Sequence, residues 1–216
     1  MDHCVDFMKK MNTSLSTVVN SILNSITYIL PINGLEKECY LVDCGDVEKV
    51  IEQGWKVRGV LLTHSHFDHI YGLNKLVEIF SEALVYTNQA GKEGLVNEKW
   101  NFSRYHTEVD NFIFSKMENV RVLEEGVQTL DGGLNVNVLF TPGHDPSCIS
   151  YIIGNNLFTG DAYIPGIKTV TTFPKSNKEQ AYESLARLQN LENKFGYTVC
   201  AGHPNKMNIE TCQKER

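Results

Sequence analysis

Residues 61–70, LLTHSHFDHI, constrain the fold more than any other stretch of this chain. An apolar run with strand character stops abruptly in His64, His66, Asp68 and His69. Side chains alternate along a strand, so His64 and His66 project to one side. As the chain turns toward a helix, Asp68 and His69 can face a second point nearby. A hydrophobic core would have to satisfy every ring nitrogen. Two imidazoles on one cation, with a carboxylate and an imidazole on a neighbouring one, form a mixed nitrogen and oxygen donor set that suits zinc. The simpler alternative makes Asp68 a helix cap. Distant parts of the chain favour the metal. FTPGH ends a strand at His144, FTGD ends another at Asp161 and CAGH ends a third at His203. Each donor follows a glycine, where backbone can bend and approach closely. A fold for this chain must bring those strand ends together.

The surrounding pattern supplies the strands. SITYIL and ECYLVDCG read as strands, and Val47–Gln53 as a short helical stripe ended by Gly54. VRGVLLTH delivers the cluster, IYGLNKLVEIF resumes helical spacing, and ALVYTN is a further strand. VRVLEEG, LNVNVLFTPGH, CISYIIG and NLFTGD follow as strands, with a hairpin at Gly154–Asn156 where positive φ is tolerated. NKEQAYESLARLQNL aligns Ala181, Leu185, Leu188 and Leu191 on one helical face, and YTVCAGHP closes as a strand. The alternation predicts two sheets flanked by helices in one domain. Residues 89–118 are harder to assign and carry the aromatic run WNFSRYHTEVDNFIF, of which WNFSRY is a candidate lid over a pocket. His106 lies there and His3 in a terminal segment, and neither has a donor setting.

Composition narrows the partners. Twenty Lys+Arg against 26 Asp+Glu give a net charge of -6, which lacks the basic footprint that nucleic acid demands. The six cysteines form no CxxC pair and read as reduced thiols. The N-terminal stretch MNTSLSTVVNSILNSITYIL is too polar to span a bilayer and has no small-residue cleavage site. A cytoplasmic protein without a membrane partner is expected, and oligomeric state is left open.

THSHFDHIYG, TPGH, FTGD and AGH in this order resemble the metallo-β-lactamase superfamily, in particular its glyoxalase II-like hydrolases. The likeness runs from about Ser25 to His203, and Asp43 matches the structural DxG aspartate of the family. It implies an α+β fold, a four-layer αββα sandwich of two mixed sheets flanked by helices. Residues 1–216 would form a single domain, with 1–16 a mobile N-terminal segment. The resemblance assigns His64, His66 and His144 to a first metal. Asp68, His69 and His203 go to a second, with Asp161 bridging. Two zinc ions are expected, with iron or manganese as alternatives.

The implied activity is hydrolysis of a small-molecule thioester, ester or lactone by a metal-bridging hydroxide, which zinc makes available near neutral pH. Asp68 and Asp161 would be the catalytic carboxylates, Asp68 orienting the nucleophile as well as ligating. Only PNKMNIETCQKER follows His203, so the helical region with which glyoxalase II grips glutathione is expected to be absent. Lys206, Lys214 and Arg216 read as solvated tail charges. Tyr163, Phe173 and Lys175 are the candidates for contact with substrate. A second reading is a non-haem iron persulfide dioxygenase, since two histidines and a carboxylate suit iron as readily as zinc. A third is a non-catalytic metal-binding module.

Overall fold

The computed structural model describes residues 15–204. His3, Cys4, Cys212, Lys206, Lys214 and Arg216 lie outside them, as does most of the segment 1–16, of which Ser16 opens the first strand. A six-stranded sheet runs in the order β1 (Ser16–Val19), β2 (Ile26–Pro31), β3 (Glu38–Val42), β4 (Lys56–Leu61), β5 (Leu84–Thr87), β6 (Val120–Val122). Its first three strands pair antiparallel, and β3 to β6 are parallel. A five-stranded sheet has the order β11 (Thr198–Ala201), β10 (Asn156–Gly160), β9 (Ile149–Ile153), β8 (Asn135–Phe140), β7 (Gly126–Thr129). Only β10 and β11 are parallel in it.

Period-two alternation explains how both faces of each sheet are covered. Tyr28, Leu30, Tyr40, Val42 and Leu61 point inward to meet Val136, Val138, Tyr151, Ile153 and Phe158 of the second sheet. Their neighbours Ile29, Leu41, Val60 and Leu62 point outward. There they bury the apolar stripes of α1 (Val47–Glu52), α2 (Phe67–Ile70) and α3 (Leu73–Ile79). On the far side, Leu139, Ile152 and Leu157 pack on Leu188 of α5 (Lys178–Phe195). The Asn177 side chain caps α5 by accepting from Gln180 N, and Gly196 ends it in the left-handed region. The result is the four-layer αββα sandwich. No helix among the described residues is long and apolar enough to cross a membrane.

Three details depart from the sequence reading. VRVLEEG is not one strand: β6 edges the first sheet, and the chain crosses at 123–125 to begin the second sheet with β7. Ser16–Val19, read only as an amphiphilic start, forms β1. The stretch 89–118 is ordered by short pieces. They are α4 (Gln89–Gly94) and two 3-10 turns at Ser103–Tyr105 and Met117–Asn119, with Leu95, Phe112 and Phe114 driven into the core under α2 and α3.

Candidate metal centre

The donors converge where the strands of both sheets end. His64 and His66 follow β4, Asp68 and His69 ride the single turn of α2, His144 follows β8, Asp161 follows β10 and His203 follows β11. Three sets of potential ligand atoms lie within 4.8 Å of one another: His64, His66, His144; His64, His69, Asp161; and Asp68, His69, His203. All seven sequence candidates are therefore in one place. Asp161 spans the sets, with Oδ1 3.6 Å from His69 Nε2, and Oδ2 3.7 Å from His144 Nε2 and 3.5 Å from His203 Nε2. Asp68 Oδ2 is 3.3 Å from both His69 Nε2 and His203 Nε2. Asp68 is not a helix cap, because His66 holds the N-cap position of α2 without a side-chain cap bond.

Two glycines show why the backbone can come this close. A Cβ on Gly202 would stand 2.4 Å from Asp161 Oδ1 and 2.9 Å from His69 Cε1. Gly143 adopts φ +133°, and a Cβ there would meet Ala181 N of α5 at 2.2 Å. The ladder between β10 and β11 also shifts register between Phe158 and Gly160, immediately before Asp161.

Outer hydrogen bonds set the orientation of four of the imidazoles. His69 Nδ1 donates to Asp43 Oδ2 at 2.8 Å, His144 Nδ1 to the Val170 carbonyl at 2.9 Å, and His203 Nδ1 to the Leu23 carbonyl at 3.1 Å. Thr63 Oγ1 donates to Asp43 Oδ2 at 2.7 Å and so presents a lone pair to His64 Nδ1, 3.1 Å away. Asp145 Oδ2 stands 3.5 Å from His66 Nε2. Outward N–H groups leave the inner nitrogens as donors for a cation, the arrangement that second-shell partners impose at metal sites.

The site passes a test of fit on its own contacts. His144 Nε2 and His66 Nδ1 face each other at 3.1 Å, and because His144 Nδ1 donates to Val170, His144 Nε2 brings a lone pair to this contact. His64 Nε2 and Asp161 Oδ1 are buried with no hydrogen-bond partner. Buried polar atoms are rarely left this way unless something binds them. Divalent cations fit this set of imidazole and carboxylate donors.

Charge in the metal-free cluster is strongly coupled. Burial and the neighbouring imidazoles of His69, His66 and His144 push His64 well below the ordinary histidine range. Burial acts against charge on His203, yet its bonds to Asp161 and Asp68 outweigh it and raise the group to about 9. Burial likewise opposes charge on His69, where Asp68 and Asp43 prevail and push it well above its usual value. Burial would raise Asp161, but His203, His69 and His144 hold it down at about 2.

The weaker candidates separate. Phe173 lies over the cluster, its ring centroid 5.4 Å from that of His66 and 5.5 Å from that of His144. Lys175 instead rests on Trp100, with Nζ 3.0 Å from the ring centroid. Tyr163 is core: its ring is buried with Leu188, and its hydroxyl donates to Glu192 Oε2 at 2.8 Å. His106 stays outside the donor set, beside Phe67 and Glu108. Sequence reasoning missed Asp145, and it reached Phe102 only as part of the aromatic run WNFSRY. Phe102 takes the left-handed region, φ 65° and ψ 2°, at a strain of about 1–2 kcal/mol for a non-glycine residue. Its ring stands 4.7 Å from His66 and 4.9 Å from Phe173. No local sequence signal marks Asp145. A cavity of about 690 Å³, lined by Tyr40, Arg58, Phe80 and Asp131 among others, lies at the opposite ends of β3 to β5 and has no part in the donor cluster.

A family model described as the metallo-beta-lactamase superfamily matches residues 26–203. Among solved structures, the BLEG-1 B3 metallo-beta-lactamase is 23% identical, with a TM-score of 0.74 over 88% of this chain and 92% of that one. TTHA1623, solved in a di-iron-bound form, is 25% identical with a TM-score of 0.72 over 88% and 92%. ETHE1 from Myxococcus xanthus is also 25% identical, with a TM-score of 0.64 over 89% of this chain and 76% of its own.

Proposed function

The chain belongs to the metallo-β-lactamase superfamily, and on that footing we propose that it is a metal-dependent hydrolase of a small-molecule thioester, ester or lactone. The observation that carries this reading is the pair of donor groups joined through Asp161. Two cations held there, zinc in our reading, would supply water that ionises near neutral pH, with a pKa of about 7, and positive charge beside a polarised carbonyl.

The chain's own groups do the rest. Asp68 is held ionised: burial opposes its charge, but His69 and His203 more than offset that. It can therefore accept a hydrogen bond from the attacking water and fix its direction. Asp161, equally ionised, holds the two donor groups in register. No cysteine competes as nucleophile among the described residues. Cys39, Cys44, Cys148 and Cys200 are free and buried. Burial pushes Cys39 and Cys200 up to about 12, far from the thiolate that attack requires. Buried reduced thiols and the net charge of -6 support a cytoplasmic enzyme acting on a small molecule rather than on nucleic acid.

Iron is the second reading, favoured by the di-iron form of TTHA1623. A single iron on His64, His66 and His144 would suit a persulfide dioxygenase. Metal analysis of anaerobically and aerobically purified protein, paired with thioester hydrolysis and oxygen uptake, separates the two. We expect two metals per chain and thiol release without oxygen consumption. One iron per chain with oxygen uptake and no hydrolysis would sink the hydrolase. His66→Ala and Asp161→Ala should each lose turnover by about 10³-fold or more and lower metal content while circular dichroism is retained.

A further inference from the structure

One wall of the donor cluster is aromatic, and the chain accepts backbone strain to build it. Phe102 and Phe173 come from loops 71 residues apart in sequence and meet at 4.9 Å, with ring planes 39° apart. Both present ring edges or faces to His66, and Phe173 does the same to His144. Phe173 is 37% exposed, and Tyr105 beside Phe102 is 64% exposed. These rings are therefore not core: they form an open apolar surface that leads down to His66 and His144.

The left-handed Phe102 is held from both sides. Asn101 and Ser103 are each fully buried. The Asn101 side chain donates to the carbonyls of Gly94 and Phe112 and accepts from Ser103 N. The Asn101 carbonyl accepts from Phe67 N, and Ser103 Oγ accepts from Phe112 N. A strained residue between two clamped neighbours persists because the surroundings over-determine it, a pattern that concentrates at ligand clamps. The cations two residues along the chain from each ring are engaged elsewhere. Lys175 rests on the Trp100 ring and Arg104 pairs with Glu98 Oε1 at 3.3 Å, so the wall offers apolar area rather than charge.

We propose that Phe102 and Phe173 form the subsite for an aryl or medium-chain acyl group attached to the scissile carbonyl. The preferred substrates are then apolar acyl thioesters or esters rather than acetyl or carboxylate-bearing ones. This rests on the hydrolase reading for the chemistry, but the subsite itself is a binding claim. Its ligand would stack between or against the two rings, which favours offset or edge-to-face contact with a third aromatic.

Two measurements on metal-loaded protein test it, one needing turnover and one not. With phenylacetyl and acetyl thioesters of the same thiol, wild type should favour phenylacetyl in kcat/KM. Phe173→Ala and Phe102→Gly should each reduce that ratio about tenfold at unchanged metal content. Glycine is chosen at 102 because it accepts positive φ. Calorimetric titration with sodium phenylacetate and sodium acetate reads the subsite even if no thioester is hydrolysed. Phenylacetate should bind about tenfold tighter than acetate to wild type, and the margin should shrink in both variants. Loss of turnover with the phenylacetate preference retained would overturn the hydrolase reading and leave the subsite standing. Equal affinity for the two carboxylates, or variants that keep the full preference, would overturn the subsite.

Discussion

Asp145 is buried, accepts from Ser147 N at 2.8 Å and from Ser147 Oγ at 2.5 Å, and sets its second oxygen 3.5 Å from His66 Nε2. Ser147 Oγ also accepts from Ser65 N at 3.0 Å, so one network ties the loop after β4 to the loop after β8. The carboxylate faces the far nitrogen of the ring whose Nδ1 points at His144, so its charge favours that orientation. An asparagine in its place removes that charge without emptying the space. Asp145→Asn should lower metal affinity about 10- to 100-fold, read by competition with a chromophoric chelator, with little change in the metal-free melting curve. Unchanged affinity would show that His66 is held by packing alone. At this scale the donors themselves were legible, because His64, His66, Asp68 and His69 are too dense for a loop and each remote donor follows a glycine. Asp145 was not, and Phe102 was legible only as one member of the aromatic run WNFSRY, not as the residue that faces His66. Their roles depend on neighbours distant in sequence: His66 for the first, and the buried frame of Gly94 and Phe112 around Asn101 for the second.

The paired ends of β10 and β11 carry Asp161 and His203, and their closeness depends on a missing side chain between them. Gly202→Ala would place a methyl 2.4 Å from Asp161 Oδ1 and 3.0 Å from the Gly160 carbonyl carbon, on a residue whose own carbonyl accepts from Ile26 N. Because both strands are short, the strain falls on the donors rather than on the sheet. The variant should keep its circular dichroism and thermal midpoint within a few degrees, since core burial is untouched, while losing about 10²-fold in metal affinity as the donors splay. A metal affinity equal to wild type would disprove this reading of the glycine. Most elements could be read from alternation and spacing, but the β6–β7 passage could not. VRVLEEG has the same local pattern whether it continues one strand or changes sheets. What decides is the partner: Val85 for Val120, and Val138 for Gly126.

Across the whole molecule, the donor cluster sits on the seam between the sheets. His64, His66, Asp68 and His69 belong to the six-stranded side, and His144, Asp161 and His203 to the five-stranded side. A bound cation therefore joins the two halves of the sandwich. Chelation should lower the thermal midpoint, because a ligand present at 100 times its dissociation constant stabilises by about 2.7 kcal/mol. Restoring metal should recover it.

Proton linkage follows from the same cluster. In the metal-free protein His203 is raised to about 9 and His69 is raised as well. Their contribution to stability is complete below the unfolded histidine value of about 6.5, and the His203 part is lost as pH rises through about 9. The metal-free protein should weaken over that window. Metal uptake near pH 7.5 must displace the proton held on His203, so its measured heat should change with buffer ionisation enthalpy. Heats independent of buffer would contradict the coupling.

The outer hydrogen bonds of four imidazoles have one more consequence. Asp43, Thr63, Val170 and Leu23 fix His69, His64, His144 and His203 before any ion arrives, and Asp145 stands 3.5 Å from His66. Such a socket has little freedom to reshape itself around one ion's preferred geometry, and its mixed donors suit several first-row metals. Supply then decides occupancy: the same polypeptide expressed in zinc-rich and iron-rich media would emerge as two different metalloproteins, so growth conditions become a variable of the enzymology.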